Sequence, residues 1–160
     1  MNWAHIHLMA NHIPVLGTVL LVLLLAVGLI RSSPSLIRTT LWATVALAVL
    51  TVPVYLTGEP AEEQVEDMIG VEKATIEDHE ENAKVGLIAV LATGALAALA
   101  LWGERHRPRR TRLLSALVLL GLIVSSGLFA LTAWTGGPIQ HAELRAGAPG
   151  VQGSKSVERD

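Results

Sequence analysis

The sequence predicts an all-α, polytopic membrane protein: four transmembrane helices in an antiparallel bundle, with a short amphipathic helix in one connecting segment. Three observations carry that reading. The apolar residues, 51% of the 160, gather into four long blocks instead of following helical or strand periodicity, which is the membrane pattern. Each block is free of Asp, Glu, Lys and Arg over roughly the 20 residues that a hydrocarbon core requires. The segments joining the blocks alternate in charge, as connections on opposite sides of a membrane do. The membrane domain is expected over residues 1–146, with a polar tail at 147–160.

The first block covers about 12–30 and opens on Asn11-His12-Ile13-Pro14. No Lys or Arg precedes it, and Arg31 and Pro34 spoil the small-residue stretch after it. A cleavable signal peptide is therefore not expected. The second block, 39–57, is the most polar, with Thr39, Thr40, Thr44, Thr51 and Pro53. Proline is tolerated in a membrane helix when neighbours satisfy the freed carbonyl. Thr57-Gly58-Glu59-Pro60 predicts a stop at Gly58 and a new helix start at Pro60. An amphipathic helix over about 60–69 then turns Val65, Met68 and Ile69 to the bundle or membrane, and Glu62, Glu63, Glu66 and Asp67 to water or a site.

Thr75-Ile76-Glu77-Asp78 has the form of a capping box. The third long helix is thus expected to start near Thr75, ahead of its apolar block at 85–102. From Thr75 to Trp102 it extends about 42 Å at 1.5 Å per residue, so its first turns project beyond the hydrocarbon. His79, Ala83, Gly86 and Val90 share one face, and Ala83 and Gly86 keep it small enough for another helix to approach closely. The fourth block, 113–134, is followed by Thr135-Gly136-Gly137-Pro138 as a predicted stop, then by His141-Ala142-Glu143 at the same interface. The tail from Gly147 lacks the apolar residues to fold alone.

Charge sets the expected orientation. Segment 31–38 holds two arginines, 104–112 holds five with one glutamate, and 58–83 carries ten acids against Lys73. The positive-inside rule places the arginine segments in the cytoplasm, and both termini and the acidic segment in the periplasm or exterior. Trp3 and Trp134 would mark one interface, Trp42 and Trp102 the other. The arginine cluster reads as this topology signal and a contact for anionic lipid, so no nucleic-acid partner is expected. With no cysteine, disulfides, thiolate metal sites and thiol nucleophiles are excluded. Phosphate loops, Gly-x-Ser-x-Gly elbows and dinucleotide fingerprints are absent too.

Five of the six histidines fall on the acidic side, with only His106 across the membrane. His12 stands at the start of the first block, where a polar residue is costly and a functional group by default. Its bland alternative is an interfacial histidine bonded to a backbone carbonyl. His79 lies in Glu77-Asp78-His79-Glu80-Glu81. There the bland alternative is a solvated helix start, with Glu80 and Lys84 spaced for an i,i+4 pair. Glu59 follows the second block and His141 the fourth. One end of each helix therefore supplies His12, Glu59, His79 or His141, with Glu62, Glu63, Glu80 and Glu143 as secondary candidates. Bundles build metal sites from side chains converging in this way. Imidazole with carboxylate suits zinc, iron or manganese, and two axial histidines suit haem b. No local ligand motif is present, so the expectation rests on topology.

The motifs Asn11-His12-Ile13-Pro14-Val15-Leu16-Gly17, Gly58-Glu59-Pro60-Ala61-Glu62-Glu63, His79-Glu80, and 135–144 with Gly136-Gly137-Pro138 and His141-Ala142-Glu143 resemble short bacterial inner-membrane proteins of, or related to, the family called domain of unknown function 2231. The resemblance runs to about Arg145. It implies four helices, a first-helix histidine before a proline, a third-helix histidine and a histidine after the glycine pair. It also implies an electron-transfer setting, because members are sometimes fused to or encoded beside Rieske or cytochrome domains. The acidic segment is richer in carboxylates here than a plain haem protein requires.

The expected function is a small inner-membrane subunit whose periplasmic-face His/Glu cluster binds a transition metal (iron or zinc) or haem b, accessory to an electron-transfer assembly. The alternative is a structural subunit without cofactor, packing against a larger respiratory or photosynthetic complex through Gly86, Gly94, Ala95, Ala97, Ala98 and Ala100 on the third helix and Gly121, Ser125, Ser126 and Gly127 on the fourth. An enzyme built on the same groups ranks third. The lipid bilayer and a larger membrane complex are the expected partners.

Overall fold

The computed structural model describes residues 2–66, 73–103 and 108–140. Every described element is an α-helix: α1 (Trp3–Ala10), α2 (His12–Ile30), α3 (Pro34–Leu56), α4 (Gly58–Glu62), α5 (Lys73–Gly103) and α6 (Pro108–Gln140). Four stretches are long and apolar enough to cross a membrane: Trp3–Ile30, Pro34–Glu62, Lys73–Gly103 and Thr111–Ile139. Each has 28 to 31 residues, against the roughly 20 that hydrocarbon requires. The surplus turns carry the polar residues.

The long helices contact in a ring, α2 on α3, α3 on α5, α5 on α6 and α6 back on α2, while α1 packs on α4. The main core lies toward the end that carries the arginines. It comprises Leu21 and Leu25 of α2, Leu41 and Leu47 of α3, Ala97 and Ala100 of α5, and Val118 and Leu122 of α6. A smaller layer of Ala48, Val90 and Phe129 follows toward the acidic end.

Helix contacts are set by small residues. A Cβ on Gly94 would lie 2.5 Å from the Ala48 Cβ, and one on Gly86 would lie 3.0 Å from the Phe129 ring. One on Gly121 would lie 2.5 Å from Thr93 Oγ1. Gly86, Gly94, Ala97, Ala100 and Ser125 are buried and Gly121 half-buried, so these positions are taken up within the chain. Ser126 is half-buried, and Ala95, Ala98 and Gly127 point outward.

The polar residues of the second block are accommodated inside α3. Thr40, Thr44 and Thr51 are buried, and their hydroxyls donate to Leu36 O, Thr40 O and Leu47 O, each at 2.8 Å. Back-bonding to the preceding turn removes the cost of a bare hydroxyl in apolar surroundings. Thr18 does the same beside Pro14, donating to Pro14 O at 2.9 Å. Pro14 sits in the first turn of α2, where its missing N–H has no helical partner to lose.

Four local expectations are corrected. Gly58 does not stop α3 in a left-handed conformation; Thr57 caps the helix with φ −76° and ψ −8°, and Gly58 opens α4. The Thr57 N–H bonds to Pro53 O and Val54 O, both at 3.2 Å, and its hydroxyl donates to Val54 O at 2.6 Å. The terminal carbonyls thus find partners without a glycine cap. The exterior helix is Gly58–Glu62 with turns on to Glu66, shorter than 60–69; Asp67, Met68 and Ile69 lie outside the described residues. Its sidedness is as expected, with Val65 buried and Glu63 and Glu66 exposed. α5 begins at Lys73, so Thr75 lies inside the first turn instead of capping it. Finally, α6 runs through Gly136, Gly137 and Pro138. Gly136 is needed there for close approach, because it seats a side chain of α5.

Candidate functional site

At the acidic end the α5–α6 contact repeats its own pattern. Gly86 of α5 receives Phe129 of α6; seven residues back in α5 and seven on in α6, Gly136 receives the ring of His79. A Cβ on Gly136 would come within 2.8 Å of His79 Cε1 and Nδ1. The ring is fixed further by its Nδ1–H, which donates to Thr132 O at 2.9 Å. A neutral imidazole that donates from Nδ1 carries its free lone pair on Nε2.

His7 reaches the same place from α1. Asn2 caps that helix by accepting from the His5 N–H at 2.9 Å, and Gln64 Oε1 accepts from the Ala4 N–H at 3.1 Å, tying α1 to the segment after α4. The His7 Nδ1 lies 2.8 Å from Thr57 Oγ1. Because the Thr57 hydroxyl spends its hydrogen on Val54 O, it accepts from His7, which leaves the His7 Nε2 unprotonated as well. The two rings stand 6.4 Å apart between centroids, at 85°.

Both histidines precede the apolar blocks at 12–30 and 85–102, near the starts of the stretches Trp3–Ile30 and Lys73–Gly103. Burial lowers the pKa of His79, partly offset by the Thr132 carbonyl. Burial also lowers that of His7, assisted by the charge His79 would carry and opposed by the Val54 carbonyl. Glu62 is pushed upward, by burial and then by Glu80, Glu66 and Glu59 with Lys73 opposing, which marks the surface around α4 and the start of α5 as net negative.

The other sequence candidates are placed differently. His12 is exposed and its Nδ1 donates to Leu8 O at 2.9 Å, a local backbone bond. Glu59, Glu63 and Glu80 are exposed and Glu62 is half-buried. His141 and Glu143 lie outside the described residues. Among the described residues no three His, Asp or Glu side chains are grouped to hold a metal ion. The i,i+4 ion pair of the acidic segment joins Lys73 to Glu77, 4.0 Å apart and both exposed; among the described residues the expected Glu80–Lys84 pair is not formed.

Sequence reasoning singled out His79 and passed over His7. A signal for His7 was present. The buried face of α2 is Pro14, Thr18, Leu21, Leu25 and Gly28, a stripe of alternating threes and fours. Carried back through α1, that stripe passes through Asn11 and His7 and misses His5 and His12.

The described chain is thus an all-helical protein with four helices long and apolar enough to cross a membrane. Comparison with protein-family models, with curated proteins and with solved structures gave no match.

Proposed function

We propose that the chain is a small four-span subunit of the bacterial inner membrane, with both termini and the acidic segment on the periplasmic face. Its histidine-bearing end would hold a transition metal (iron or zinc) or haem b in the service of a membrane electron-transfer assembly. The outward faces support the membrane part. Leu16, Leu23, Ile30, Val49, Ile88 and Leu120 are exposed along the long helices, as lipid-facing residues are. Trp3 and Trp102 are exposed at helix ends, and Trp42 and Trp134 about two turns in from them, levels at which aromatic belts form. The observation that carries the cofactor part is His79, held by Thr132 O against Gly136 with its Nε2 free. The electron-transfer setting rests on the family resemblance.

An optical spectrum and metal analysis of the protein purified without chelators test this reading. A stoichiometric transition metal, or the Soret band of a b-type haem, is the expected result. Neither being present would turn the assignment to the structural subunit. That second reading is favoured by Ala95, Ala98 and Gly127, small residues that face outward on α5 and α6, where a partner helix can approach closely. Extraction in mild detergent would then recover the chain in a larger complex.

A further inference from the structure

We propose that His7 and His79 form a two-imidazole site for one late first-row divalent ion, copper(II) or zinc(II), each ring ligating through Nε2. The assignment deepens the cofactor reading above, on which it rests, and replaces a four-helix His/Glu cluster with a specific pair.

Four observations point to it. Each ring is anchored at Nδ1 by an oxygen acceptor, Thr57 Oγ1 for His7 and Thr132 O for His79. Metal-ligating histidines are held in this way, the far nitrogen bonded to a carbonyl or other acceptor that fixes tautomer and ring direction. The spacing also fits. With metal–nitrogen bonds of about 2.0–2.1 Å, two imidazoles on one ion have centroids about 5 to 6.5 Å apart, depending on the angle at the metal; the rings stand 6.4 Å apart.

Third, the donors are nitrogens. Imidazole suits copper and zinc, whereas magnesium and calcium take carboxylate and carbonyl oxygen. Water completes the coordination shell. Fourth, Glu59, Glu66 and Glu80 act on Glu62 with Lys73 alone opposing them, and a net negative surface at this end of the bundle raises the local concentration of cations. The ion would tie α1 and α3, which hold His7, to α5 and α6, which hold His79.

The test uses the full chain in detergent micelles, stripped with chelator and titrated with copper(II), followed by electron paramagnetic resonance. One tightly bound ion per chain is expected, with nitrogen hyperfine structure from two imidazoles. His7→Gln and His79→Gln should each leave one imidazole nitrogen and weaken binding beyond the about 10–100-fold that loss of an outer-shell partner costs. Thr57→Val, which removes the His7 anchor together with the hydroxyl bond to Val54 O and leaves both imidazoles in place, should weaken it by about 10–100-fold. His12→Gln should bind as the parent does. Melting curves show which variants remain folded, and the nitrogen count of the unaltered chain needs no variant at all. Binding that survives in a folded His7→Gln chain but is lost in His12→Gln overturns the pair while leaving a metal-binding subunit in place. A chain that binds no copper and no zinc overturns the pair; if it also purifies without any metal or haem, the cofactor reading falls too.

Discussion

Thr57 has two partners at the end of α3: it donates to Val54 O and accepts from His7. One hydroxyl therefore finishes a helix and fixes a tautomer. The same economy holds His79, whose Nδ1–H uses the Thr132 carbonyl. The consequence is a pH dependence of the metal-free chain. Both histidines have pKa values lowered by burial, so near the ordinary histidine value of about 6.5 the unfolded chain takes up protons that the folded chain resists. Stability is then complete above about pH 6.5 and is lost as pH falls toward the lowered folded values. The melting temperature in micelles should drop between about pH 7 and pH 5, and the double variant His7→Gln, His79→Gln should flatten the drop. A flat curve for the parent chain would mean that both rings are freely hydrated.

The turn between α2 and α3 shows how a helix end is built here. Ser32 adopts φ 48°, the Ser33 N–H bonds to Gly28 O at 2.9 Å, and the Ser32 N–H bonds to Leu29 O at 3.2 Å. This is a Schellman pair with serine in the left-handed position that glycine usually fills. Pro34 then starts α3, where its missing N–H costs nothing. Ser32→Gly should raise stability by about 0.5–1 kcal/mol in thermal melts, because the left-handed conformation strains a side chain. Between helices the sign reverses. Gly94→Ala pushes a methyl into Ala48 and should destabilise by about 1–3 kcal/mol. Gly127→Ala, with nothing within 4 Å of its Cβ, should be neutral or gain up to about 1 kcal/mol from helix propensity. Equal melts for the two alanine variants would mean that α3 and α5 do not meet at Gly94.

Across the whole chain, polarity is distributed along the helix axes. Arg31, Arg38 and Arg112 stand exposed at one end, beside the larger apolar core. The acids of α4 and the start of α5 lie at the other, above the smaller core layer. Under the positive-inside rule that gradient predicts a single orientation. A reporter fused after Asp160 should be active only on the exterior side, and one inserted after Arg107 only in the cytoplasm; the opposite pattern would remove the basis for an exterior metal site. Ions or redox partners would then reach the histidine pair from the exterior, past the acidic surface.

Composition was enough for the four long helices, because crossing hydrocarbon demands an uncharged run whatever its neighbours are. The face of α5 that holds His79 and Gly86 was legible too, since helical spacing puts them together before any partner is known. Helix ends were less so. The glycines at 58 and 136 carry local stop signals, yet α6 continues past Gly136, where the missing Cβ leaves the space that the His79 ring occupies, and Thr57 caps α3 before Gly58 is reached. The meeting of His7 with His79 also lay beyond local rules. It joins residues 72 positions apart (79 less 7) and depends on α1 folding onto α4 and on a threonine whose hydrogen is already committed. Spacing along one helix decides which residues share a face; which faces then touch is decided by packing among helices, where glycine seats and hydroxyl acceptors select one register.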